Sequence, residues 1–312
     1  MAAKVFTPSA WLPNPIYMAT NRRLPFVQYD VFTSRALEGN PLAVFSDGSS
    51  LNDAEMQAIS REMNLSETTF ILPREQETEA ARGVRVRIFT VQEELPFAGH
   101  PTLGTAFALR QANVPEIKLE LNVGTVPVQF EENEGQPLFG EMKQADPVFG
   151  HTHERSKIAE ITGIPLEDIA PDLPIQTVST GLLFTILPLR NLSAMRRLQI
   201  NQARAVEYLQ STGGKFLFSV CRETVDPAAR LHARMIFYNG EDPATGSACG
   251  CAAAWMVANG IAQSEERVLI EQGVEMKRPS RIFVRASRSN DRVVNVRVGG
   301  NVVEVLRGEL FF

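Results

Sequence analysis

This chain is poor in cysteine, in long apolar runs and in charge of one sign, and each shortage removes a class of protein. Three cysteines in 312 residues, Cys221, Cys249 and Cys251, give no disulfide framework and fit a reducing compartment. No uninterrupted apolar stretch approaches the roughly 20 residues of a membrane-spanning helix. The 31 basic and 36 acidic side chains leave a formal net charge of -5 with no long block of either sign, which argues against nucleic acid or a membrane surface as partner. No G-x-G-x-x-G follows a strand-like run, so a nicotinamide or flavin cofactor has no support, and Gly213-Gly214-Lys215 lacks the rest of a phosphate loop. Acids are missing locally too: Lys4, Arg22 and Arg23 are the only charges before Asp30. Residues 1–24 read as a flexible leader, too poor in arginine for a transit peptide, and Met18 could begin a compact protein. A soluble, cytoplasmic protein is the expectation.

What is present is ordinary for a globular chain, 44% hydrophobic and 21% charged, and its length favours two domains. Strand-like runs recur at 26–32, 42–45, 69–72 and 84–90, the last alternating Val or Ile with Arg. Asn52 or Asp53 can cap a helix carrying Met56, Ile59 and Met63. A helix follows at 101–111, then a hairpin at 117–130 bent around Asn122-Val123-Gly124. The acidic, glycine-bearing stretch 131–137 has no apolar period and suggests a boundary between domains at 25–134 and 138–312, with a final strand that could return to the first. The second part repeats the alternation, with strands at 176–180, 183–187, 215–221 and 231–237 and helices at 156–162 and 202–211. Four more strands begin near Val268, Ile282, Val293 and Val302. Strands outnumber helices, with one apolar helix per half. The expected fold is α+β: two similar domains, each a strongly curved, mostly antiparallel sheet around a central helix.

Two runs carry the chemistry. Residues 241–250 read E-D-P-A-T-G-S-A-C-G and lead into an apolar helix; residues 95–106 read L-P-F-A-G-H-P-T-L-G-T-A and do the same. The first turn of a helix has N–H groups without partners and the positive end of the macrodipole, so a Gly-Ser or Gly-His turn there lets an anion approach bare backbone. Their likeness suggests two related halves, although their glycine spacings differ by one. Asp242 stands just outside one turn, or merely caps it; His100 opens the other, as proton carrier or as cap. Glu67, in N-L-S-E-T-T-F, has apolar neighbours that would raise its pKa toward proton transfer, unless it is simply solvated. Ser247 could simply be an N-cap, and its nucleophile reading is poor, since no G-x-S-x-G elbow surrounds it. His151-Thr152-His153-Glu154 follows Pro147 and Gly150 in an expected loop, and no other cluster supports a metal there.

Together S-E-T-T-F, L-P-F-A-G-H-P-T-L-G-T-A and E-D-P-A-T-G-S-A, with the entry strings F-V-Q-Y-D-V-F-T and G-N-P-L-A-V-F, resemble the phenazine-biosynthesis PhzF-like isomerase family from about Phe26 to the C-terminus. The resemblance implies a diaminopimelate epimerase-like fold with its active site between pseudo-symmetric domains. It implies Glu67 as general acid/base, His100 and Asp242 flanking the substrate, and Ser247 hydrogen-bonded to it. Turns at Gly99-His100 and Gly246-Ser247 would hold a substrate carboxylate. It further implies a homodimer without cofactor or metal. The epimerases carry a cysteine before each of the two glycines; here those positions hold Ala98 and Thr245, which leaves no two-thiol racemisation.

Three readings therefore stand. A cofactor-independent isomerase would shift a proton within a small unsaturated or cyclic carboxylate. An amino-acid racemase or epimerase would exchange an α-proton, against the missing thiols. A ligand sensor or interaction module would turn nothing over and would need none of Glu67, His100 and Asp242 together.

Overall fold

The computed structural model describes residues 22–237 and 240–312; of the expected leader, residues 1–21 lie outside them. The first half runs β1 (Arg23–Val31), β2 (Asn40–Phe45), α1 (Asp53–Met63), β3 (Glu67–Leu72), α2 (Gln76–Arg82), β4 (Val84–Phe89), β5 (Glu94–Leu95), α3 (Gly99–Leu109), β6 (Glu116–Leu121), β7 (Gly124–Glu131) and β8 (Phe139–Lys143). The second runs β9 (Val148–His153), α4 (Arg155–Thr162), β10 (Ile175–Ser179), β11 (Leu183–Pro188), α5 (Leu192–Arg196), α6 (Gln202–Ser211), β12 (Phe216–Cys221), β13 (Ala229–Phe237), β14 (Gly240–Asp242), α7 (Gly246–Ala258), β15 (Val268–Gln272), β16 (Ser280–Ser289), β17 (Arg292–Gly300) and β18 (Val302–Phe311).

Strand pairing makes the relation between the halves explicit. One sheet passes β18-β1-β2-β3-β4-β6-β7-β8. The other passes β9-β10-β11-β12-β13-β15-β16-β17. Both follow the same succession: antiparallel, antiparallel, parallel, antiparallel, parallel, antiparallel, antiparallel. The halves are two pseudo-symmetric copies of one curved sheet, stitched by the antiparallel pair β8–β17. The stretch 131–137, where the sequence suggests a boundary, takes in the last residue of β7 and most of its connection to β8, which pairs with β7. Of the run His151-Thr152-His153-Glu154, expected in a loop, the first three residues belong instead to strand β9, which pairs with β10.

Each sheet wraps a helix because that helix is apolar on all sides. In α7 every residue from Gly246 to Val257 is buried, with Trp255 fully enclosed, and in α3 every residue from Gly99 to Ala106 is buried. A helix without a polar face has no stable place at a surface. By contrast α1 is a surface helix: Asn52 and Glu55 form a reciprocal capping box, and only Met56, Ile59 and Ser60 are buried. Among the described residues no helix is long and apolar enough to cross a membrane.

The two enclosed helices start at the seam and meet there. A Cβ built on Gly99 would lie 2.5 Å from Ser247 N and 2.6 Å from Gly246 Cα. One on Gly246 would lie 2.8 Å from the Phe32 ring and 3.2 Å from Gly99 Cα. These glycines are required by close approach of backbone to backbone.

Candidate active site

Glu67 opens β3, and the parallel pairing of Leu42 with Glu67 sets it beside β2. Asn40 opens β2 two residues before Leu42 and so shares its face. His100 is the second residue of α3, Asp242 the last of β14, and Ser247 the second of α7. Glu67, His100, Asp242 and Ser247 are all buried, none more than 8% exposed. Five elements from both halves thus converge where α3 and α7 touch. Neither helix has a side-chain cap: Ala98 and Thr245 at the N-cap positions leave the first-turn N–H groups to other partners.

Asp242 is the best-anchored member. Its Oδ1 accepts from Asn40 Nδ2 at 2.8 Å and from Ser66 Oγ at 2.9 Å, and its Oδ2 accepts from Thr245 Oγ1. Gln272, at the end of β15, donates to the Asp242 carbonyl at 2.7 Å and to Thr245 Oγ1 at 2.9 Å, and accepts from Thr245 N at 3.0 Å. Burial raises the Asp242 pKa despite these hydrogen bonds.

Glu67 and His100 are held differently. His100 Nε2 stands 3.5 Å from Glu67 Oε2, beyond a good hydrogen bond, and neither atom has a hydrogen-bonding partner among the described residues. A buried polar atom left so costs about 1–3 kcal/mol, a cost a folded chain carries where a ligand completes the set. Burial, then the nearby Asp242 charge, raises Glu67 well above the ordinary carboxylate range. Burial also pushes His100 down to about 3, so the ring is neutral at ordinary pH. The site therefore offers a carboxyl that holds its proton more tightly than an ordinary glutamate, a neutral imidazole, and two helix N-termini suited to an anion.

The sequence reading brings Glu67, His100, Asp242, Gly99, Gly246 and Ser247 to one place, and it misses the residues that hold them. Asn40 lies in G-N-P, quoted only as part of an entry string. Ser66 directly precedes Glu67. Gln272 carries no local signal at all, since only the fold brings β15 to this loop. The alternative that Ser247 is an N-cap does not hold, because Thr245 takes that position. His153 is a core residue: its ring nitrogens lie 3.0 Å from Tyr208 Oη and 2.9 Å from Thr177 Oγ1, and burial lowers it to about 4. No metal-binding group of His, Cys, Asp and Glu occurs among the described residues. Cys249 and Cys251 are buried in α7, and burial raises both thiols, Cys251 to about 11, which makes poor thiolate bases.

Comparison with known proteins supplies the family and the fold. Residues 29–308 match the family model for phenazine biosynthesis-like proteins, PhzC-PhzF. An uncharacterized isomerase of Mesorhizobium japonicum is 35% identical over 92% of this chain and 98% of its own length. The trans-2,3-dihydro-3-hydroxyanthranilate isomerase of Pseudomonas aeruginosa is 33% identical over 92% and 99%. Among solved structures, a PhzF-family phenazine biosynthesis protein of Bacillus anthracis superposes with a TM-score of 0.82 at 28% identity, covering 93% of this chain and all of that one. A hydroxyproline epimerase of Agrobacterium vitis, at TM-score 0.62 and 10% identity over 93% of each chain, shares the fold.

Proposed function

Because this chain belongs to the phenazine biosynthesis-like family, whose relatives here are named isomerases, we propose that it is a cofactor-independent isomerase moving a proton within a small unsaturated or cyclic carboxylic acid. The observation that carries this is the pair of buried, partnerless atoms Glu67 Oε2 and His100 Nε2 beside two abutting helix N-termini. The N–H groups at Gly99-His100 and Gly246-Ser247 hold the substrate carboxylate, and the Ser247 hydroxyl adds a hydrogen bond. Glu67, as carboxylate, takes a hydrogen from an activated carbon; the electron pair moves along the π-system toward the carboxylate. Donors already in place stabilise that charge, worth several kcal/mol in such sites. Glu67 then returns a proton elsewhere on the system, after the one it holds has had time to exchange with solvent, so the reaction is redox-neutral and nothing is gained or lost. His100 and Asp242 flank the reacting atoms. Asn40 Oδ1, also buried and without a partner, can accept from a hydroxyl or amino group of the substrate.

A two-thiol epimerase is disfavoured by Ala98 and by Thr245, whose hydroxyl is spent on Asp242. Homodimeric assembly and a cytoplasmic location belong to this reading, and light scattering of the purified chain tests the first. Trans-2,3-dihydro-3-hydroxyanthranilate, named for the P. aeruginosa relative, is the first probe. In heavy water the wild type should wash solvent deuterium into product, and Glu67→Gln should lose about 10²–10⁴-fold of that rate while still binding an unreactive anthranilate in calorimetry. Undiminished incorporation by Glu67→Gln into any turned-over acid would refute the role of Glu67.

A further inference from the structure

We propose that Asn40 is a positioning residue that selects the Nε2–H tautomer of His100 and so aims the imidazole hydrogen at Glu67. Asn40 is completely buried where β2 begins. Its amide nitrogen lies 2.8 Å from Asp242 Oδ1, 2.9 Å from the Ala244 carbonyl and 3.1 Å from His100 Nδ1. The carbonyl can only accept, and so can an ionised Asp242, which orients the amide: turned over, it would set oxygen against oxygen twice. With nitrogen in that place, His100 Nδ1 faces a donor and must offer its lone pair. A neutral ring with Nδ1 bare carries its hydrogen on Nε2. Nε2 is the atom 3.5 Å from Glu67 Oε2.

The consequence is electrostatic. An Nε2–H directed at Glu67 or at a ligand oxygen attracts negative charge, whereas the other tautomer would present a lone pair to a carboxylate. Asn40 comes from the first half, and two of its three acceptors, Asp242 and Ala244, come from the second, so closure of the seam and choice of tautomer are one event. The placement stands without the isomerase reading; its effect on turnover rests on that reading.

The test uses the full chain with ¹⁵N-labelled histidine. Only four histidines are present, and His100→Gln identifies the signals of His100. The wild type should show a bare, pyridine-like Nδ1 and a protonated, pyrrole-like Nε2, read from couplings to the ring hydrogens. Asn40→Asp exchanges the donor for an acceptor and should reverse the two signals. Asn40→Ser, which withdraws the amide without adding charge beside Asp242, should give a mixture of tautomers. In both variants deuterium exchange into a turned-over acid should fall about 10–100-fold. A protonated Nδ1 in the wild type overturns the proposal, as does an unchanged His100 spectrum in folded Asn40→Ser or a reversed spectrum with undiminished exchange. The spectra need no substrate, so a chain that isomerises nothing still decides the tautomer.

Discussion

The starts of α3 and α7 are the same construction used for different ends. Both approaches read Glu-x-Pro-x-x-Gly, from Glu94 to Gly99 and from Glu241 to Gly246. Each is pinned by an arginine on the preceding long strand. Arg87 grips Glu94 with contacts of 2.9 and 2.5 Å, and Arg234 grips Glu241 at 2.8 and 2.7 Å. The differences lie between and just after these fixed points: Leu95 against Asp242, Phe97 against Ala244, Ala98 against Thr245, His100 against Ser247. Strand register extends the contrast. Leu42 stands opposite Glu67 where Phe184 stands opposite Phe216, so the counterpart of Glu67 is Phe216 and that of Asn40 is Leu182. Scaffold was kept in both halves, while Glu67 and His100 stand in one half and Asp242 in the other, and none of the three has an ionisable counterpart. A base with an aromatic ring for its counterpart suits removal and return of a proton by one group, not exchange between two.

The largest test of this comparison concerns contact between the tips. Gly99→Ala would drive a methyl group into the backbone of Gly246 and Ser247, which has nowhere to go, and should cost roughly 3 kcal/mol. Gly246→Ala meets first the edge of the Phe32 ring at 2.8 Å, then Gly99 Cα at 3.2 Å, and should cost about 1–2 kcal/mol. Midpoints of chemical denaturation measure both. Equal costs would mean that the helices do not abut as described.

Much of this was legible because local pattern and tertiary use coincide. Alternation in V-R-V-R-I-F marks β4, and the capping box at Asn52 and Glu55 marks α1. Unbroken small apolar residues after Gly246 mark a helix that must be enclosed. Failures fall where pairing, not composition, makes the strand. β8 reads F-G-E-M-K and carries no apolar alternation, yet it is held by β7 on one side and β17 on the other. β9 has two histidines and a glycine, and its last three residues were expected in a loop, yet it pairs with β10. In the site, residues that act stand in recognisable strings, while Asn40, Ser66 and Gln272 act through distances of 27 to 202 residues along the chain. No local signal reports such contacts.

A second test asks whether the acid of one tip governs the base of the other half. Glu67 is raised first by burial and second by the charge of Asp242. Asp242→Asn removes the second cause, so the Glu67 pKa must fall. Glu67 accepts a proton only when ionised, so the acidic limb of the exchange-rate profile should move to lower pH. Stability follows the same sign. A carboxyl raised on folding binds its proton more tightly in the folded chain, so its contribution is present at low pH and is lost as pH climbs through the raised value. The variant should lose less stability over that interval. Leu95→Asn, the same amide at the counterpart position, should leave the limb where it is; an equal movement in both variants would remove Asp242 from its assigned part.

The smallest effect expected distinguishes the two arginine clamps. Arg87→Met and Arg234→Met each discard a bidentate pair at side chains only 17% and 10% exposed, and each should cost about 1–3 kcal/mol. Arg234 should cost more, since its further contacts, the Met195 carbonyl and Glu275 at 4.0 Å, are shielded, whereas the further partner of Arg87 is Asp53, whose side chain is exposed. Their catalytic effects should separate more clearly than their stabilities. Glu241 is the neighbour of Asp242 on β14, so loosening it tilts a site carboxyl, whereas Glu94 precedes Leu95, which bears no chemistry. Deuterium exchange should therefore drop by a few-fold in Arg234→Met, and by less in Arg87→Met even when both are compared at matched fractions folded. A double-mutant cycle of Arg234→Met with Glu241→Gln should show that the two losses share one interaction. Independent losses would mean that Arg234 serves the core beneath α5 and not the loop that carries Asp242.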